Sequence, residues 1–223
     1  MIMKLPFLKS SLVIATVVLQ FTSAFAQNPL PEIAKANTTQ AIQNARQIGM
    51  MLFEFDNDYG SFPSEKTLAD VEKIVGEKLP VGDKASNTLF RQLFAAGITE
   101  NETPFFANIP GVMKGMEQEK PEKALTKGKN AFAYIAGLNT ADNPNRPVVV
   151  CPLIPGTTKF DPKPFGGKAI ILRIDCSVQV LSIEEDGTVL QGGVELLSKD
   201  HPIWKDMDGK ALDICYPDLP AEG

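Results

Sequence analysis

The sequence predicts an α+β fold in which a long N-terminal amphipathic helix packs on an antiparallel sheet, with two short helices between them. Two observations predict it. Over residues 32–59 apolar side chains recur at helical spacing, and from residue 131 onward the apolar residues fall into short alternating runs bounded by turn formers. A helix with one apolar face must lie on something, and the later strands are the simplest partner.

The chain begins with an address. Lys4 and Lys9 stand in a leader without acids, residues 12–19 form a short apolar run, and Ala24 and Ala26 place small residues three and one positions before a cut. Residues 1–26 therefore read as a cleavable signal peptide, and the product is expected to be periplasmic or secreted. The apolar run is well short of the ~20 residues that a spanning helix requires, and no later stretch is apolar enough, so no integral membrane span is expected in the mature chain. Removing 1–26 takes two lysines and no acids, which moves the formal charge from −5 to −7 over the remaining 197 residues. An acidic protein without a Lys/Arg-rich block is not expected to bind nucleic acid.

Residues 27–223 read as one domain. Residues 27–37, polar and containing Pro29 and Pro31, suggest a flexible start. Ala41, Ala45, Ile48, Leu52, Phe55 and Tyr59 then form one helical stripe. Asn37 to Gln40 resembles a capping box, which suggests that the ordered helix begins there, and Gly60 and Pro63 supply the stop. Shorter helices are expected over residues 65–78, with Leu68, Val71 and Val75 on the apolar face, and over 87–96, with Phe90, Leu93 and Phe94. Ser64 and Ser86 are their candidate N-caps, and Gly97 a stop.

Residues 98–130 scatter prolines, glycines and mixed charges and read as a long surface loop, where recognition is commonly placed on a rigid scaffold. Strands are expected over 131–135, 148–154, 169–174, 178–183 and, late in the chain, 211–215. Ile170, Leu172 and Ile174 alternate with less apolar neighbours, and Glu184 to Gly187 marks a turn.

Chemistry is sparse. His201 is the only histidine, which excludes any site built on two histidines. The chain has no G-x-S-x-G elbow, no phosphate loop, no dinucleotide fingerprint and no C-x-x-C pair. Gly111 to Gly115 and Gly166-Gly167 read as turns. A Cys–His pair of His201 with Cys215 or Cys151 needs only closeness in space, and carboxylate chemistry needs a pair that the sequence does not single out. Cys151, Cys176 and Cys215 are candidates for one disulfide plus one odd thiol in an oxidising compartment. Asp206, Asp208 and Asp213 around Gly209 are a candidate calcium cluster, with a solvated turn as the plainer reading; Asp56, Asp58 and Gly60 admit the same pair of readings. No other cofactor is expected.

Two stretches carry a family likeness. Asn44, Arg46, Gln47, Ile48, Gly49 and Leu52, followed by Phe55, Asp56, Asn57, Asp58, Gly60, Phe62 and Pro63, resemble the junction in type IV pilins and type II secretion pseudopilins where the long helix enters the globular head. Gly167, Ile171, Leu172, Asp175, Ser177, Val178 and Leu181 are similar to the late hairpin of many such heads, with Cys176 where glycine is usual. That position favours φ > 0, so the substitution suggests a looser turn or one held by a disulfide. An ordinary signal peptide stands where the family has its prepilin leader and apolar assembly helix. The resemblance implies a pilin-like head without enzymatic activity, acting through protein–protein contacts with secretion or pilus-like assembly proteins. An exported small hydrolase, or a carbohydrate- or surface-binding module using Phe105, Phe106 and Trp204, is the alternative.

Overall fold

The computed structural model describes residues 29–76, 78–79, 84–118, 120–207 and 211–221. The signal peptide lies outside the described residues. The first helix, α1 (Pro29–Tyr59), is 31 residues long. Two further helices follow, α2 (Glu65–Val75) and α3 (Ser86–Ala95). The strands are β1 (Ala133–Ile135), β2 (Pro147–Cys151), β3 (Lys168–Arg173), β4 (Val178–Ser182), β5 (Leu190–Gln191), β6 (Val194–Glu195) and β7 (Ile214–Cys215). Five of them form an antiparallel sheet in the order β4-β3-β2-β1-β7, and β5 and β6 form a separate hairpin. Helix on antiparallel sheet is the expected α+β class.

Helix α1 starts earlier than the capping signal suggested, and residues 29–37 are helical rather than irregular. Prolines are tolerated in a first turn, whose N–H groups have no intrahelical partner. Thr38 and Thr39 do not cap; their hydroxyls donate back to the carbonyls of Ala34 at 2.7 Å and Lys35 at 2.9 Å, inside the helix. At the other end Gly60 takes φ +73°, and its N–H donates to Asp56 O at 2.7 Å. This is the left-handed stop expected at a helix C-terminus.

Of the predicted stripe, Ala41, Ala45, Ile48, Leu52 and Phe55 are buried, and Tyr59 at its end is half-buried. Each large apolar side chain removed from water contributes roughly 1.5–3 kcal/mol. The stripe rests on β3 through Gly49, where an added Cβ would come within 3.0 Å of Leu172 Cδ1 and 3.4 Å of Cys176 Sγ. Strand register puts Tyr134, Val149, Ile170 and Leu172 on this same face of the sheet. The Tyr134 hydroxyl donates to Pro63 O at 2.9 Å and its ring meets Phe90 of α3 at 5.0 Å, so the exit from α1 and α3 converge on one residue. The alternation expected in β3 is absent, because Ala169 to Arg173 are buried on both faces. On the second face, Leu197 shares a cleft with Ile214, and Leu196 and Trp204 are buried nearby in the chain beyond β6.

The cap of α2 is a capping box: Ser64 accepts from Thr67 N, and the Thr67 side chain accepts from Ser64 N at 2.9 Å. Ser86, however, does not cap α3. Ala85 occupies that position, and the Ser86 hydroxyl donates to Phe132 O at 2.8 Å. The stop after α3 is Gly97, at φ +73°.

Residues 98–130 differ most from expectation. Their described residues form two short 3-10 turns at Thr103–Phe105 and Pro121–Lys123 and an isolated bridge between Asn101 and Glu117, but they are not merely superficial. Phe105, Ala107, Ala124 and Leu125 are fully buried. Buried Glu102 holds the loop from within, its carboxylate accepting from Leu125 N at 2.7 Å and Met116 N at 3.2 Å. Gly111 takes a positive φ as a turn should, but Gly115 is required for a different reason: a Cβ there would meet the Glu102 side chain at 2.2 Å.

The Gly49 contact yields a graded prediction. Gly49→Ala gains about 1 kcal/mol of helix propensity and loses a comparable amount in crowding, leaving thermal stability nearly unchanged. Gly49→Val lowers it by about 2 kcal/mol or more, because two further methyl groups must fit where a single Cβ already comes within 3.0 Å of Leu172 Cδ1. Thermal denaturation of the two variants checks the difference.

Candidate functional site

Thirty-one residues of helix span about 46 Å, whereas a six-residue strand spans about 20 Å, so α1 outruns the sheet. None of the residues 32–40 is buried, whereas Ala41 is. Contacts along this stretch are few: Ala34 approaches Gly166, and Asn37 accepts from Asn108 Nδ2 at 3.1 Å. Between this part of α1 and edge strand β4 runs a groove of about 990 Å³. Ile33, Phe165 and Val180 give it an apolar floor, and Lys35, Lys163 and Lys168 line it as cations. No carboxylate is among its described lining residues. In a chain of formal charge −5, a groove lined by three lysines is a local inversion of sign.

A second exposed feature rides on the pinned loop. Met113 and Met116 are 56% and 69% exposed on either side of Lys114 and Gly115. Unbranched thioethers suit adaptable contact surfaces. The backbone beneath them is fixed by Glu102, and Met113 N donates to Gly128 O at 2.8 Å.

The sequence-predicted chemical residues are dispersed. His201 is buried; its Nδ1 accepts from Ile203 N at 3.1 Å, which leaves Nε2 to donate to Gln191 O, also at 3.1 Å. Both nitrogens are committed to backbone groups, so neither is free to take a thiol proton. The thiols are poor nucleophiles as well. Burial pushes Cys215 up to about 12, with nearby Asp213 adding to the effect, and burial raises Cys151 and Cys176. Phe105 and Trp204 are buried, and the Trp204 ring donates from Nε1 to Leu196 O at 2.8 Å. They present no exposed aromatic platform.

The three cysteines stand unpaired. Cys215 lies level with Val149, two strands away, and Cys151 is two residues further along. Strand spacing and rise then separate their Cα atoms by about 12 Å, beyond the roughly 7 Å limit for a disulfide. Cys176 sits in the turn past the far end of β3. The candidate calcium cluster is likewise divided. Asp206 pairs with Arg146, Asp213 lies 3.5 Å from Lys84, and Asp208 falls outside the described residues. Among the described residues no three His, Cys, Asp or Glu side chains gather to hold a metal. Asp56 is part of α1 and accepts hydrogen bonds from Thr140, in agreement with the helix-end reading.

Sequence reasoning missed Arg146. Its side chain is 2% exposed, with Nε donating to Ile203 O at 3.0 Å, Nη1 to Asp142 at 3.0 Å, and the Asp206 carboxylate at Nη2 as an ion pair. It also lies 5.7 Å from the centre of the Trp204 ring. Asp142 four residues earlier was the available signal, but a charged residue before a strand reads as surface. The turn marked by Glu184 to Gly187 is present, and Asp186 is held down to about 2, chiefly by hydrogen bonds from Thr188 and then by Lys159.

No helix among the described residues is long and apolar enough to cross a membrane. Comparison of the chain with protein-family models, with curated proteins and with solved structures gives no match.

Cys176 occupies the left-handed region at φ +63°, in a turn closed by Cys176 N to Arg173 O at 3.0 Å and Arg173 N to Ser177 O at 2.9 Å. The turn is tight and carries no disulfide. An L-residue there costs roughly 1–2 kcal/mol. Cys176→Gly therefore holds stability to within about 1 kcal/mol despite losing the sulfur contact, whereas branched Cys176→Val lowers it by at least about 1 kcal/mol. Chemical denaturation in reducing buffer distinguishes the two.

Proposed function

We propose that the chain is an exported, pilin-like protein without enzymatic activity, working through protein–protein contacts in a type II secretion or type IV pilus-like system in the periplasm or outside the cell. One observation carries the reading: residues of the pilin-like junction fix α1 onto the rest of the domain. Asn44 donates to Phe106 O at 2.7 Å and Thr103 O at 3.2 Å, Ile48 and Leu52 are buried, Gly49 seats on Leu172, and Gly60 ends the helix. Arg46 and Gln47 of the same motif face solvent.

The working surface in this reading is the part of α1 that outruns the sheet, together with the β4 edge and the methionine ridge of the pinned loop. Replacing Met113 or Lys35 with a photoreactive residue and crosslinking in cells tests it. Recovery of secretion-channel, pilus or outer-membrane components is the expected result. Crosslinks confined to free monomer at both positions contradict it.

A further inference from the structure

We propose that the outer edge of β4 and the lysine-lined groove beside it bind an extended, acidic segment of a partner protein by strand addition; this rests on the protein-contact reading above. β4 ends the sheet, and the phase of its ladder identifies which backbone groups face outward. Ile183 N donates to Gly167 O and Arg173 N to Ser177 O, both at 2.9 Å, at the two ends of the β3–β4 pair. Antiparallel pairs alternate between bonded and non-bonded, so Leu181 and Gln179 face β3, while Val178, Val180 and Ser182 turn their N–H and C=O groups away from it. Those groups have no backbone partner among the described residues. An unpaired edge of this kind is a template for another strand.

Register also fixes which side chains an added strand would meet. Val180 lies opposite Ile170, on the face that carries α1, and Lys168 shares that face two residues away. Alternate side chains of a strand laid along β4 therefore enter the groove under the exposed part of α1. There Val180, 40% exposed, and Ile33, 52% exposed, offer apolar contact, and Lys35, Lys163 and Lys168 offer ammonium groups. The complementary segment has carboxylates flanking a small apolar residue at every second position. A basic segment meets like charge and is rejected.

The test uses the purified exported protein and a fluorescein-labelled Thr-Glu-Thr-Val-Thr-Glu-Thr peptide, with Lys in place of Glu as its control, followed by anisotropy at low salt. The acidic peptide is expected to bind at least tenfold more tightly than the basic one, and the K35E/K163E/K168E protein to reverse that preference. Val180→Pro removes an outward N–H that β3 does not use, at an edge position where proline is tolerated, and is expected to weaken binding at least tenfold with the melting temperature retained. Equal binding of both peptides overturns the proposal. So does unchanged binding to a folded Val180→Pro protein. If that variant does not fold, the acidic peptide N-methylated at alternate residues, in each of the two phases, replaces it; parent-like affinity for both overturns strand addition. Failure here with crosslinks still recovered from Met113 would leave the broader contact reading standing, so the two fail separately.

Discussion

Everything above the sheet depends on how closely α1 approaches β3. At Gly49 the helix backbone comes down onto Leu172 and the hairpin turn, where even a methyl group would crowd the Leu172 side chain. That distance lets Ile48, Leu52 and Phe55 bury fully, and it brings Asn44 within reach of the Thr103 and Phe106 carbonyls. A helix held further out would lose this apolar contact and the two hydrogen bonds from Asn44, each worth about 1 kcal/mol. The angle fixed there also determines where the unburied part of α1 stands, and hence the groove beside β4.

The irregular half of the molecule is ordered by buried polar groups rather than by secondary structure. Ser86, Asn87 and Asn130 form one such node. Asn130 donates to Ser86 Oγ at 2.8 Å and accepts from Phe132 N at 3.0 Å, while Asn87 donates to Leu125 O and accepts from Asp218 N, both at 2.9 Å. The start of α3, the end of the long loop and the C-terminal segment are thereby tied together. Glu102 does the same for residues 115–125, and Arg146 for the approach to β2 and the 3-10 turn at Pro202–Met207. Satisfied networks of this sort specify one arrangement, because any other leaves groups unpaired in a low dielectric.

This explains which parts were legible in the sequence. The α1 stripe, the Ser64 cap, the Gly60 and Gly97 stops and the β3–β4 hairpin rest on local rules of periodicity, capping and backbone sterics, and each could be read from neighbouring residues. The helical state of residues 29–37 was not legible because Asn37 to Gln40 resembles a capping box and follows a polar, proline-containing stretch, whereas both prolines fall in the first turn. The burial of Glu102, Asn130 and Arg146 was illegible because their partners lie far away in sequence or are backbone groups that carry no residue-type signal. For the same reason His201 and the three cysteines were candidates for chemistry until their surroundings were known: the imidazole bridges Ile203 N and Gln191 O, and the thiols are separated and held protonated. The lysine groove was invisible because Lys35, Lys163 and Lys168 are distant along the chain.

The surface proposed for strand addition combines an open strand edge, the exposed part of α1 and a patch of inverted charge. Hydrogen exchange at β4 tests that description most directly. In the free protein the amides of Val178, Val180 and Ser182 should exchange rapidly, while those of Gln179 and Leu181, bonded to β3, exchange slowly. In the complex captured from cells the three outward amides should slow by at least tenfold. Unchanged exchange at Val178, Val180 and Ser182, with new protection on another face, would contradict the account.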